Sequence, residues 1–447
     1  MPIRRSPNLT AVAPVLLLAL LAGGQHARGE QVVENYPDGA KKAVYTTNAA
    51  GQKQGAYEEY YPDGKSKLKA NYKEDKLQGA YRSFHPSGKA AIKTTYRDGE
   101  LYGSYVEHTE AGPIRLSVGY KAGQKHGAYQ EYVDRQLVRD ELWIEGQLAL
   151  PKSQAQIARE LARIEKLPLK TEGEIPAAAE RFQQAARDPA AHRDREMALR
   201  HLMAYRYLCD VPHEDLALDL QYITHTEGAC DILNRVGEMT HSPKNPDLPE
   251  DEYKFAYTGC AKSNLFSSSS MVGSVRAYMD DSDPKNIDRV GHRRWCLNPR
   301  MLRTGFAGRG GYSAMWSFDN SRKEVPDYEY VAFPPRGLLP TTFFRSHYAW
   351  SVSLNPKKYA TPSAETVKVT VTPARLNPAR ASLELAPTPL SVEYFNVDLG
   401  GFGIPNCIIF RPTGVQVQPG AAYTVSMTGL KDTSGEDVTL EYVVAFF

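Results

Sequence analysis

The chain has 447 residues, more than one hydrophobic core usually organises, so two to four domains are expected. Hydrophobic residues make up 42% and charged residues 24%, the balance of an ordinary globular protein. The 54 Lys and Arg nearly cancel the 52 Asp and Glu, which excludes a global field that would draw the protein to nucleic acid or an anionic membrane.

The first residues differ from the rest. MPIRRS is a short cationic start, LTAVAPVLLLALLAG is an apolar run of secretory length, and Ala27-Arg28-Gly29 sets small residues at a cleavage position. Residues 1–29 therefore read as a signal peptide cut after Gly29, with an uncleaved anchor as the alternative. No later segment approaches the length needed to cross a bilayer. The expected location is secreted, periplasmic or cell-envelope, of bacterial type. Export would place Cys209, Cys230, Cys260, Cys296 and Cys407 in an oxidising compartment. The odd count leaves at least one unpaired. Two readings stay open: one or two bridges among the first four, or buried free thiols packed as small hydrophobes.

A repeat fills residues 30–149. Gly55-Ala56-Tyr57, Gly79-Ala80-Tyr81, Gly103-Ser104-Tyr105 and Gly127-Ala128-Tyr129 recur every 24 residues, and Tyr72, Tyr96 and Tyr120 keep the same period. Tyr36-Pro37-Asp38-Gly39, Tyr61-Pro62-Asp63-Gly64 and His85-Pro86-Ser87-Gly88 supply turns, so each unit reads as strand, turn, strand. A single hairpin cannot bury an apolar face, so the units should stack into a sheet with laddered aromatic rings. GAYEEYYPDGK and GAYRSFHPSGK resemble MORN-type repeats, a resemblance that implies architecture and says little of function.

Residues 150–193, with SQAQIARELARIEKL and IPAAAERFQQAARDP, read as helical linker. Leu199, Leu202, Met203 and Tyr207 at helical spacing then open a domain spanning 194–343. ACDILNRV and SMVGSVRAYMDD read as further helices, and TGFAG with GYSAMWSFD as two strands. His241, in Thr240-His241-Ser242-Pro243, and His292, in Gly291-His292-Arg293, each follow a predicted helix, which would put both in loops able to line one cleft.

LMAYRYLCDVPHEDLALD, GEMTHSP, AKSNLF, YMDD and GHRRWCLNPRMLRTGFA follow in order the signature blocks of the CAP superfamily (cysteine-rich secretory, antigen 5 and pathogenesis-related domains), which this region resembles. The resemblance implies an α-β-α sandwich in which two histidines and two acidic residues face a shared cleft that in some members binds zinc or another divalent ion. Block by block, His241 and His292 match the histidines. Lys262-Ser263-Asn264 matches the Gly-Glu-Asn block, so Ser263 stands where the first carboxylate would be. Asp281, with Asp280 adjacent, matches the second acid. The expected ligand-binding set is His241, His292, Asp281, Ser263 and Asn264, with His241 and His292 as metal ligands.

Two imidazoles without enough carboxylate or thiolate partners make an open, weak site, so the cofactor expectation is limited to a weakly held divalent ion such as zinc. Lys262 would add repulsion if its ammonium pointed inward. A hydrolase would need a serine, Ser263 or one of Ser267–Ser270, within reach of an imidazole. DDSDPKNIDRVGH lacks the glycine and the final glutamate of a calcium loop. For His292 itself a cleft role and a purely structural one both stand.

Residues 344–447 alternate apolar and polar in short runs (VKVTVTP, CIIFRPTG, AYTVSMTGL, VTLEYVVAFF) and resemble an Ig-like β-sandwich. The expected fold class is multidomain α+β: a β-hairpin repeat array, a CAP-like α-β-α sandwich and a C-terminal β-sandwich. The expected function is that of an exported binding protein. Its cleft would take a small ligand, peptide, lipid or weakly held metal, and its repeats and sandwich would meet extracellular or envelope partners. A secreted peptidase-like hydrolase using His241 or His292 and a purely structural envelope protein are the alternatives.

Overall fold

The computed structural model describes residues 30–175 and 180–447, so the expected signal peptide and part of the expected helix at IPAAAERF lie outside the described residues. The fold is mixed, and its contacts divide the chain into two compact units. One runs from residue 30 to Glu100 with Glu110–Gly112; the other holds Leu101–Thr109 and Pro113–Phe447.

In the first unit the strands Gln31–Asn35, Lys41–Thr47, Lys53–Tyr60, Ser66–Lys73, Gly79–Phe84 and Ala90–Arg97 pair antiparallel in sequence order. The repeated glycines at 55 and 79 have φ of +87° and +82°, a left-handed conformation inside a strand that a Cβ would penalise. The Tyr57 ring lies between those of Tyr45 and Tyr72, at 5.6 and 5.4 Å between centroids. The repeat also holds a second turn that the sequence reading passed over. Glu74-Asp75 and Asp98-Gly99 both have positive φ at two successive residues, the geometry of a tight two-residue hairpin.

The second unit opens with strands of the same repeat, Gly103–His108, Ile114–Lys121, Gln124–Val133, Gln136–Ile144 and Gln147–Leu150, again antiparallel in order. Among the described residues seven α-helices follow: α1 (Gln154–Lys166), α2 (Glu180–Ala186), α3 (Pro189–Leu208), α4 (Leu220–Val236), α5 (Glu250–Ala261), α6 (Met271–Asp280) and α7 (Gly291–Cys296). Four of them start on a local side-chain cap. Ser153 and Gln156 form a reciprocal cap on α1, Asp188 with Pro189 opens α3, Asp219 caps α4, and Ser270 accepts from Gly273 N to begin α6.

Between the helices lie a short parallel sheet (Thr171–Glu172, Ala217–Asp219, Arg303–Thr304) and an antiparallel one in which Tyr312–Trp316 is flanked by Ser263–Phe266 and Phe306–Arg309. The C-terminal strands form two further sheets. Four strands run in the order Tyr330–Phe333, Trp350–Leu354, Cys407–Pro412, Val392–Asp398. Five run in the order Gly337–Leu339, Asp437–Phe446, Ala422–Lys431, Lys368–Asn377, Ser382–Leu385. One buried apolar cluster runs from Ile157 and Ile164 of α1, through Leu199, Leu202 and Met203 of α3, to Trp350, Phe410, Val425 and Phe446. The helical region and the C-terminal sheets thus share a core. All five cysteines are free and buried, which answers the open question with packed thiols. Among the described residues no helix is long and apolar enough to cross a membrane.

Candidate functional site

α4 ends at Gly237, whose φ of +71° stops the helix, and the chain then turns so that His241 Nδ1 lies 2.8 Å from the carbonyl oxygen of Cys260 at the end of α5. A carbonyl only accepts, so Nδ1 carries the proton and Nε2 keeps its lone pair. Burial pushes the His241 imidazole below its ordinary pKa; the bond to Cys260 opposes this, and the nearby His292 and Arg289 add to the lowering. The ring is therefore neutral at pH 7.

His292 departs from the expectation of a loop. It lies in the first turn of α7, whose entry residue Val290 is left-handed, at φ +40°, and supplies no side-chain cap. The cap comes from Asp281, the left-handed residue that closes α6, whose carboxylate accepts from the backbone N–H of His292 at 2.8 Å and of Arg293 at 3.3 Å. Its other oxygen takes His292 Nδ1 at 2.7 Å. One carboxylate, 1% exposed, thus starts a helix and fixes an imidazole, and leaves the His292 Nε2 free. The same geometry separates the two candidate acids: Asp280 faces His347, at 3.2 Å, and not His292. Arg293 locks the arrangement from behind, its buried guanidinium donating to the carbonyls of Met279 and Ala349 at 2.8 Å each and to Ser351 Oγ at 3.0 Å.

His241 and His292 line one cleft of about 200 Å³ together with Ala261, Ser263, Asn264, Asn286, Arg289, Gly291, Trp295, Phe318 and Phe402. Four of the five expected residues border it, and Asp281 stands behind His292. Asn264 is mainly structural: its Nδ2 donates to His292 O at 3.0 Å and its Oδ1 accepts from Ser317 Oγ at 3.1 Å. Ser263 is 2% exposed, and its Oγ is buried with no hydrogen-bond partner. The serines of the 267–270 run do other work, Ser270 capping α6 and Ser267 bonding Met239 Sδ at 3.3 Å.

Phe318, Phe402 and Arg289 were missed from sequence, whereas Trp295 was a foreseeable neighbour of the cleft. Trp295 stacks on Phe318 with centroids 4.2 Å apart, and Lys262 Nζ stands over the outer Phe318 ring at 4.7 Å; Lys262 is not a lining residue. Phe402 arrives from the C-terminal region. Buried Arg294 holds its loop by donating to Ile404 O at 2.8 Å and bonding Gly400 O and the Asp398 carboxylate. A Cβ on Gly291 would lie 3.0 Å from Phe402 Cδ1, so the glycine before His292 is what lets this ring close the wall. The glycines around Phe402 in Gly400-Gly401-Phe402-Gly403 were the available sequence signal: a Cβ at 403 would sit 2.9 Å from Trp295 Cε3.

The chemical repertoire follows. Two imidazoles face the cleft without a third protein ligand among the described residues. Among the described residues, the group of three ligating side chains within 4.8 Å of one another is Glu160, His213 and Glu214, away from the cleft, and Arg163 already pairs with both carboxylates. Neither imidazole is hydrogen-bonded to a hydroxyl or thiol among the described residues. The flanking thiols are poor nucleophiles, since burial pushes Cys260 up to about 12 and Cys296 further. Positive charge in the lining comes from Arg289, and no lining residue is acidic. No protein-family model matches the chain, and no curated protein matches it.

Proposed function

We propose that the protein is an exported binding protein with a CAP-like helical domain. The cleft between His241 and His292 takes a small ligand, and the MORN-type repeats and the C-terminal β-sandwich offer surfaces to envelope or extracellular partners. The observation that carries this reading is the cleft's polar lining. Both imidazoles are anchored through Nδ1, both Nε2 atoms lack a protein partner among the described residues, and the buried Ser263 Oγ beside them is unpartnered. Preformed groups left unsatisfied in a concave, aromatic-walled pocket are what a ligand completes. A nucleophile hydrogen-bonded to either imidazole, which this kind of hydrolysis would require, has no counterpart among the described residues. A vestigial cleft would be filled by Lys262 or by a large side chain such as Trp295; Lys262 stays over the Phe318 ring, and Trp295 forms one wall of a cleft that keeps about 200 Å³.

The test is a ligand-observed NMR screen of a small-fragment library, with zinc chloride as a separate arm. The parent should bind several fragments, and zinc weakly, and His241→Ala with His292→Ala should abolish both. Fragments that bind parent and double variant equally, or a parent that binds nothing, would overturn the reading.

A further inference from the structure

The polarity of the lining narrows what the cleft accepts. Arg289 is the one charged side chain in it; it pairs with Asp288 at 3.0 Å, a solvent-exposed and thus weak contact, and donates to Asn286 Oδ1 at 3.3 Å, which leaves its remaining N–H groups for a ligand. A second cation, Lys262, borders the Phe318 wall. The nearby carboxylates are engaged elsewhere: Asp281 by His292 and two backbone amides, Asp283 by Asn286 at 2.8 Å, and Asp398 by Arg294. The cleft therefore offers a guanidinium whose acidic partner, Asp288, is solvent-exposed, two imidazole Nε2 atoms and the buried, unpartnered Ser263 hydroxyl, beside the rings of Trp295, Phe318 and Phe402.

Each group selects a ligand feature. The guanidinium calls for a single negative charge, best met by a planar carboxylate. The Nε2 lone pairs call for a hydrogen-bond donor. The aromatic walls call for an apolar body, and a volume of about 200 Å³ limits it to a small molecule. A bare divalent cation meets only the imidazoles and is repelled by Arg289 and Lys262. A phosphate dianion finds one guanidinium where it would use several donors.

We infer that the cleft binds a small organic carboxylate that carries a hydroxyl or amino donor and an apolar, ring-sized body, with Arg289 fixing its charge and Phe402, supplied by the C-terminal region, fixing its size. This rests on the cleft being a ligand site at all, and the experiment separates the two claims.

Calorimetry on the full protein uses mandelate, its neutral amide mandelamide, phenylacetate, inorganic phosphate and zinc chloride. Mandelate should bind about tenfold tighter than mandelamide, the scale of one charge-assisted contact. Phenylacetate should lie between them, and phosphate and zinc below. Arg289→Met should bring mandelate down to the mandelamide level, and Phe402→Ala should weaken mandelate. Because the comparison of acid with amide needs no variant, it stands even if a substitution disturbs folding. Equal binding of acid and amide, or preference for phosphate or zinc, overturns the inference while the ligand-site reading survives. Absence of any cleft-dependent binding, by these probes or in the fragment screen, overturns both.

Discussion

Asp281 shows how much one side chain can determine. Its two oxygens hold two amides of α7 and the His292 imidazole, so no other residue sets both the helix start and the ring orientation. Leaving a buried donor without its acceptor costs about 1–3 kcal/mol. Asp281→Ala should lose stability on that scale in urea unfolding, and Asp281→Asn, which keeps the acceptor oxygen, should lose less. Equal losses would mean that the charge matters little there.

Titration behaviour is also decided residue by residue. His201, packed on Phe343 and accepting from Arg276 Nε at 3.2 Å, is pulled from 6.5 down to about 4, chiefly by burial and then by the Arg276 charge. Burial is also the main cause of the lowering at His213, His225 and His241. The unfolded chain takes up protons near pH 6.5 that the native rings refuse, so stability is full above that pH and falls as pH drops toward about 4. His201 alone accounts for about 3 kcal/mol across that window. The urea midpoint should decline from pH 7 to pH 5, and His201→Gln, which keeps an acceptor for Arg276, should flatten the decline. A midpoint that holds level would contradict these buried neutral rings.

At the scale of elements, capping is local, and the helix SMVGSVRAYMDD was legible from its Ser270 start; Asp188-Pro189 and Asp219 also cap their own first turns, yet the sequence reading began the helix after Asp188 at about residue 194. The entry to α7 was not, because its cap comes from eleven residues upstream and its boundary from a left-handed valine. The resemblance to the family supplied His241, His292 and Asp281, and spacing alone would not have joined them. The approach of Phe402 to Gly291 was hidden for a similar reason, since 111 residues of chain separate the two. That approach makes its own prediction. Gly291→Ala should destabilise by about 1–3 kcal/mol through overpacking. Phe402→Ala should relieve much of that cost in the double variant. Simple additivity of the two substitutions would mean that the ring and the glycine do not meet.

For the whole molecule, the 24-residue period announced the hairpin array through its recurring Gly-Ala-Tyr steps and Pro-containing turns, although the two-residue turns at Glu74-Asp75 and Asp98-Gly99 went unread. The shared core between the helices and the C-terminal sheets was invisible, because burial of Trp350 and Leu202 in one cluster depends on tertiary packing. The thiols give a global check. With every cysteine free and buried, an alkylating agent should label none in the native protein and all five after unfolding without reductant. A disulfide in the mass spectrum would contradict that packing.

Two imidazoles each hold a proton on Nδ1 and present to one cleft an Nε2 without a partner among the described residues. Imidazole ¹⁵N NMR of the full protein at pH 7.5, before and after addition of mandelate, tests this most directly. Protonated Nδ1 at both histidines, with both Nε2 resonances moving together as mandelate is added, is the result expected. A proton on the Nε2 of His241, or Nε2 signals that stay still with mandelate and with every fragment tried, would contradict it.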